Sequence, residues 1–287
     1  MRFNNVFFIT GTAYAGKSTM LKLLAKKYNG IHCEENYHDR LLPQLDKKDF
    51  PCLTYTRDLK DWHEFIRRSP EEYKAWYDGV TKDCEKLELE ILKDVDNQEK
   101  PTFVDTNISV ETLKKITDPN HVLIMLADPQ ISVRRFFERP DREKQFLYRL
   151  IMEEPDPQKA MENYRKGLEL ISSQENYNHF LHSGFRVILR DDNRTVEQTL
   201  ALVEDAFGLG IQKRQKNNAN IYNSSSRRKD AEMTQKKKTR PSASLNESPQ
   251  RKKLIKKIHE RAYTDAKKNP KKFQKLFDEI WRQHFWG

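Results

Sequence analysis

The sequence predicts an α/β fold, a parallel sheet of five strands covered by helices on both faces. Three observations carry it. Short apolar runs alternate with helical stretches from residue 3 to residue 209. A glycine-bearing loop joins the first apolar run directly to the first helix. Capping signals mark several of the later helix starts, and right-handed crossovers leave few topologies for such an alternation.

The elements follow in order. Val6-Phe7-Phe8-Ile9-Thr10 is an apolar block suited to a buried parallel strand. Thr19 to Tyr28 has helical apolar spacing and stops at Asn29-Gly30, residues that accept the left-handed backbone closing a helix. Gly30-Ile31-His32-Cys33 reads as a second strand ending in Glu34-Glu35, and an aromatic, charged region comes next. Ser69-Pro70-Glu71-Glu72 has the form of a capping box with proline at the first helical position. It starts a long helix running toward Val95. Thr102-Phe103-Val104 is a third strand opening onto Asp105-Thr106-Asn107, and a helix covers Val110 to Ile116. His121 to Ala127 is the fourth strand, Asp128-Pro129 caps a helix, and Asp156-Pro157 starts another that reaches about Ser172. Phe185 to Leu189 is the fifth strand. Thr195-Val196-Glu197-Gln198 is a second capping box, whose helix ends at Gly208-Leu209-Gly210.

Composition divides the chain. The net charge of +10 over 287 residues is not evenly spread. Residues 1–210 hold 31 Lys and Arg against 36 Asp and Glu, whereas residues 211–287 hold 22 against 7. A mildly acidic domain, 1–210, therefore carries a basic extension. Within it, residues 211–247 read as a disordered basic linker and residues 248–287 as a basic amphipathic helical tail, with helix starts at Ser248-Pro249 and Asn269-Pro270. Cys33, Cys52 and Cys84 are too few and too irregularly spaced for a disulfide framework or a zinc site, so a reducing cytoplasm is expected. The N-terminus runs straight into the first strand without a signal-peptide pattern, and the longest apolar run, Val122 to Ala127, is far too short to span a bilayer.

Gly11-Thr12-Ala13-Tyr14-Ala15-Gly16-Lys17-Ser18 fits G-x-x-x-x-G-K-[ST], the phosphate-binding P-loop, in the strand–loop–helix context the motif requires. Glycine lets the backbone wrap closely around anionic oxygens, while successive N–H groups and the helix N-terminus point at phosphate. Gly11, Ala13, Ala15, Gly16, Lys17, Ser18 and Thr19 are the expected nucleotide contacts. Lys17 is expected to reach the β and γ phosphates of ATP and Ser18 to offer its hydroxyl to Mg²⁺. The guanine-reading motif of GTPases and the L-S-G-G-Q of transporter ATPases are both missing from the sequence.

With these features, residues 3–209 resemble the P-loop kinases of small metabolites, the group that contains adenylate, cytidylate, shikimate and deoxynucleoside kinases. The resemblance implies a three-layer sandwich with sheet order 2-3-1-4-5, an acceptor-binding insertion after strand two, a lid after strand four and an adenine-side loop after strand five, Arg190 to Arg194. It implies phosphoryl transfer from ATP to a small hydroxylated or phosphorylated metabolite, with nucleosides or nucleotides favoured by the aromatic insertion, Tyr55 to Tyr77.

Several residues have a functional reading and a plain one. Glu34, Glu35 and Asp39 follow the second strand, where a carboxylate can take the proton of an acceptor hydroxyl; Glu35 is the preferred one, and an acidic turn is the alternative. Arg40 either holds an anionic group of the acceptor or pairs with Asp39. Asp105 either serves Mg²⁺ and Ser18 or caps a turn, and Asn107 is a weaker acceptor contact. Arg134, Arg135, Arg139 and Arg142 include candidate lid arginines, Arg135 and Arg139 foremost, against the alternative of solvated salt bridges. The aromatics Trp62, Phe65, Tyr73, Trp76 and Tyr77 either sandwich a ring acceptor or pack a helical core. The basic extension suggests nucleic acid or another anionic surface, with docking of Phe273, Leu276, Ile280 and Trp281 on the domain as the alternative, and keeps open a second function in which nucleotide switches nucleic-acid binding.

Overall fold

The computed structural model describes residues 2–96, 99–138 and 142–210. The linker and helical tail expected within residues 211–287, and Arg139, lie outside the described residues. The order is β1 (Val6–Gly11), α1 (Lys17–Tyr28), β2 (Ile31–Cys33), α2 (Pro51–Asp58), α3 (Trp62–Ile66), α4 (Pro70–Val95), β3 (Thr102–Asp105), α5 (Val110–Ile116), β4 (Val122–Leu126), α6 (Pro129–Arg134), α7 (Arg142–Met152), α8 (Pro157–Ile171), α9 (Gln174–Leu181), β5 (Arg186–Leu189) and α10 (Val196–Ala206). The fold is α/β. All four strand pairings are parallel, in a five-stranded sheet of order β2-β3-β1-β4-β5.

Strand periodicity divides the core between the two faces. Along β1, Phe7 and Ile9 point to one side and Val6 and Phe8 to the other. The first side packs Leu21 and Leu24 of α1 and Val203 of α10 on Phe103, Leu123 and Met125. The second packs Leu92 of α4 and Leu113 of α5 on Val104, Ile124 and Leu126. Phe8, Leu21, Leu24 and Leu113 are wholly buried, each contributing about 1.5–3 kcal/mol of transfer free energy. A third cluster joins α3, α4, α6, α7 and α8 above the carboxyl edge of the sheet. Phe65 is its buried centre, with Trp62, Tyr73 and Trp76 around it. Core packing is thus what most of the aromatic insertion does.

The helix ends follow their capping chemistry. Ser69 accepts from the Glu72 N–H while the Glu72 carboxylate accepts from the Ser69 N–H, which makes the expected box. Thr195 and Gln198 make the second box. Asn29 closes α1 with a left-handed φ of 50°. No described helix is long and apolar enough to cross a membrane.

Candidate functional site

β1 lies between β3 and β4; the crossover from β1 runs over β3 to the edge strand β2, whereas that from β3 runs back over β1 to β4, so the direction of winding reverses between the neighbours β1 and β3. Ligands of open α/β sheets bind at the carboxyl ends of the strands at such a reversal. The loop 11–18 leaves β1 at that point. Gly11 is paired with Met125 and has a φ of +127°, and a Cβ there would stand 2.1 Å from the Met125 carbonyl oxygen. Only glycine fits. Tyr14 and Gly16 adopt positive φ of 63° and 91°. Turns of this kind aim backbone N–H groups into a concavity suited to an anion. Gly16 is the N-cap of α1 and supplies no capping side chain, and the first turn of α1 carries no acidic residue. The positive end of the helix dipole therefore faces the loop with no acidic residue of that turn against it.

Five further hydrogen bonds tie the loop down. Thr12 N–H donates to the Met125 carbonyl at 3.1 Å. The Thr12 hydroxyl donates to the Ala127 carbonyl at 3.2 Å and accepts from the Ala127 N–H at 2.6 Å. Arg190, just past β5, donates from its guanidinium to the Tyr14 carbonyl at 2.6 Å, and the Tyr14 hydroxyl donates to the Arg135 carbonyl. The resemblance puts Arg190 in the adenine-side loop and gives its side chain no task. Its contact with the loop arises from long-range placement, which no local pattern signals.

Lys17, Ser18 and Asp105 converge. Lys17 Nζ donates to the Thr12 carbonyl at 3.2 Å and lies 4.0 Å from Asp105 Oδ1. Ser18 Oγ donates to Asp105 Oδ2 at 3.3 Å. Burial pushes the Asp105 carboxyl up to about 6; the Lys17 ammonium opposes this, Glu35 adds to it, and the Ser18 bond opposes it. Capping of α5 falls to Ser109, whose hydroxyl accepts from the Thr112 N–H, so Asp105 is not that helix's cap. Two oxygens, from Ser18 and Asp105, suit a magnesium ion that keeps the rest of its shell as water and phosphate oxygen. The described residues include no cluster of three His, Cys, Asp or Glu side chains able to hold a metal by themselves.

Beyond Asp105 the acidic groups gather. Asp39 has a side chain one-third exposed and sits 3.5 Å from His38 Nε2. Partial burial, then the Glu143 and Glu35 carboxylates, push it up to about 7. Glu35 is exposed, and its charge acts on both Asp39 and Asp105. Among the described residues no ion pair joins Arg40 to Asp39. Glu88 of α4 is wholly buried and unpredicted. It accepts from the Thr106 hydroxyl at 2.6 Å, the Asn107 N–H at 3.2 Å and the Asn107 side-chain amide at 2.9 Å. Asn107 is thus engaged with Glu88, which fixes the loop carrying Asp105. Burial raises Glu88 to about 7 against those three donors, with the Asp105 charge adding to the rise, and burial lowers His38 to about 4. Of the arginines, Arg134 donates to the Gln130 carbonyl and Arg135 pairs with Glu138 at 2.8 Å, exposed at the surface.

No family model matches the chain, and no curated protein is similar to it.

Proposed function

We propose that the loop 11–18 is a P-loop, and that the chain is an ATP-dependent kinase transferring a phosphoryl group to a small hydroxylated or phosphorylated metabolite, a nucleoside or nucleotide by preference. One observation carries the reading. A turn of main-chain N–H groups at a helix N-terminus stands beside an ammonium, a hydroxyl and a buried carboxylate, Lys17, Ser18 and Asp105, at the topological reversal of the sheet. That combination supplies what a triphosphate with magnesium needs: backbone donors for the oxygens, one mobile cation, and two oxygen ligands.

Each part then has a role. The N–H groups of the loop hold the β and γ phosphates, and Lys17 leaves Thr12 and Asp105 for the phosphate oxygens. Ser18 and Asp105 would hold Mg²⁺, which neutralises charge on the transferring group. Asp39 is pushed up to about 7 by burial and the neighbouring carboxylates, so near neutral pH a substantial fraction is ionised and basic enough to take a proton from an acceptor hydroxyl; Glu35 is the second candidate for that proton. Arg135 ends the segment that follows β4 and is held to the loop through its carbonyl, so closure there is linked to nucleotide in the loop.

Lys17→Ala in an ATP-consumption assay against a panel of acceptors tests the reading. The expected outcome is a fall in turnover of about 10²–10³-fold, the usual cost of removing a preorganised transition-state charge. Turnover equal to that of the parent chain would overturn it.

A further inference from the structure

Cys84 and Glu88 stand four residues apart on α4, so their side chains leave the same face of the helix, and both are buried. After β2 the chain turns through Asn36, at a φ of 62°, and the Asp39 N–H donates to the Asn36 carbonyl at 2.9 Å. That turn lays the His38 ring against α4, 2 % exposed, with the Tyr37 ring edge-on at 5.8 Å. His38 Nε2 lies 3.3 Å from Cys84 Sγ and 3.5 Å from Asp39 Oδ1. Nδ1 lies 3.7 Å from Glu88 Oε1 and has no hydrogen-bond partner. One ring thus faces a carboxyl group with each nitrogen. On one side is the candidate base; on the other is a buried glutamate to which the proposed transfer gives no task. A buried ring nitrogen is costly to leave unpaired. Both carboxyl contacts are roughly 0.5–0.7 Å beyond full hydrogen bonds, a looseness that substrate binding commonly closes.

The chemistry of the ring relates the two carboxyls. Burial lowers His38 to about 4, so near neutral pH the ring has one hydrogen and one lone pair. With the hydrogen on Nε2, the ring donates to an Asp39 carboxylate while Nδ1 accepts from a protonated Glu88. With the hydrogen on Nδ1, it donates to a Glu88 carboxylate while Nε2 accepts from a protonated Asp39. Both arrangements contain the same number of protons and satisfy both nitrogens. Exchange between them costs little where the two carboxyls have similar proton affinity, and burial raises each to about 7. The other ionisable groups around the ring do not break this balance. Burial raises the Cys84 thiol, the Cys33 thiol of β2 and the Tyr37 hydroxyl, so all three stay neutral. The Arg40 cation opposes that rise at Cys33 and Tyr37. Glu143 and Glu35 add to the rise at Asp39, and Asp105 adds to it at Glu88.

We propose that His38 is a positioning residue through which Asp39 and Glu88 share one proton. In the transfer, the acceptor hydroxyl gives its hydrogen to Asp39 as its oxygen bonds to the γ-phosphorus and the bond from that phosphorus to the ADP oxygen breaks. Asp39 then passes the proton to Nε2 while the Nδ1 hydrogen passes to Glu88. Asp39 is a carboxylate again, and the ring is neutral before and after. This rests on the phosphoryl-transfer reading with Asp39 as base, and adds the route by which that base is recharged. The test is nitrogen-15 NMR of the full chain, labelled in its histidine rings, with the His38 signals assigned by correlation to its own backbone. In the parent, from about pH 6 to about pH 8, both tautomers of a neutral ring are expected. At about pH 8.5 the hydrogen should sit on Nε2 in Glu88→Gln and on Nδ1 in Asp39→Asn, following whichever carboxylate remains. His38→Phe keeps a buried ring and removes both nitrogens. It should lower kcat about 10-fold or more and leave KM for ATP within about twofold. A single tautomer in the parent over that whole range, or a ring charged at neutral pH, overturns the inference without any variant, so a misfolded variant does not rescue it. So does the same tautomer in both carboxyl variants, or an unchanged kcat in folded His38→Phe. A parent chain that exchanges tautomers as expected yet phosphorylates no acceptor strikes the phosphoryl-transfer reading instead, and leaves the shared proton standing.

Discussion

Glu88 and Gly11 are two single residues whose replacement reads directly on the fold that holds the site. Glu88 is wholly buried, and its folded carboxyl titrates near 7 rather than at its ordinary 4.5. The folded state therefore holds this proton more tightly than the unfolded chain. Its contribution to stability is complete below pH 4.5 and is lost as pH rises through about 7. The full window corresponds to about 3 kcal/mol. Denaturant titrations at pH 5 and pH 8 should show Glu88→Gln losing about 1–3 kcal/mol less over that interval than the parent; parallel profiles would refute the assignment. The parent retains some slope from Asp105 and Asp39, which are raised by the same cause. Gly11→Ala is expected to be worse than any charge change here. A methyl 2.1 Å from the Met125 carbonyl oxygen, on a backbone of φ +127°, forces β1 and β4 apart. A loss of about 3 kcal/mol or more is expected, with ATP binding lost alongside. A variant with the parent's melting temperature would contradict the geometry.

The helix and strand boundaries are where sequence and structure meet most closely. Ser69 caps α4, a 26-residue helix whose buried Glu88 reaches under Asn107. Ser69→Ala should cost about 1 kcal/mol and lower the melting temperature by about 2–4 °C for a domain of this size. An unchanged melting temperature would mean that the box is idle. That helix was legible because its signals are local: serine, proline and glutamate at fixed offsets. The five strands were legible for the same kind of reason, since each is a short apolar run between turn residues. Local signals were silent on α2, α3, α7 and α9. In residues 51–66 the aromatic spacing answers to neighbours on α7 and α8 rather than to one helix face, so no clean period survives. The site divides in the same way. The loop 11–18 and Asp105 could be marked from pattern and order along the chain. Glu88 could not, because a glutamate inside a long amphipathic helix reads as solvated until β3 is placed against it. Nor could Arg190, whose partner Tyr14 lies 176 residues away. The basic run 134–142 was marked by its arginines, yet among the described residues the guanidinium of Arg135 holds Glu138, the ordinary fate of surface arginine.

At the scale of the whole chain, two charge regimes share one polypeptide. Residues 1–210 have a deficit of basic groups, 31 against 36, and residues 211–287 an excess, 22 against 7. The residues assigned to the candidate site, the loop 11–18, Asp105, Glu35 and Asp39, all fall in the first. The extension's charge, by contrast, has no counterpart in the mechanism. A dense run of cations binds polyanions by releasing condensed counterions, a contribution that falls linearly with the logarithm of salt. Ending the chain after Gly210 should therefore separate two measurements. Binding to single-stranded or duplex nucleic acid, followed by fluorescence anisotropy, should vanish in the shortened chain. In the intact chain it should weaken by about 10³-fold or more between 50 and 200 mM salt, as expected for six or more phosphate contacts. ATP affinity should stay within about twofold, because no residue assigned to the nucleotide is removed. Nucleic-acid binding that persists after truncation would move the polyanion site into the acidic domain. Loss of ATP binding in a well-folded truncated chain would mean that residues beyond 210 complete the nucleotide site, and the division of labour argued from charge would fail.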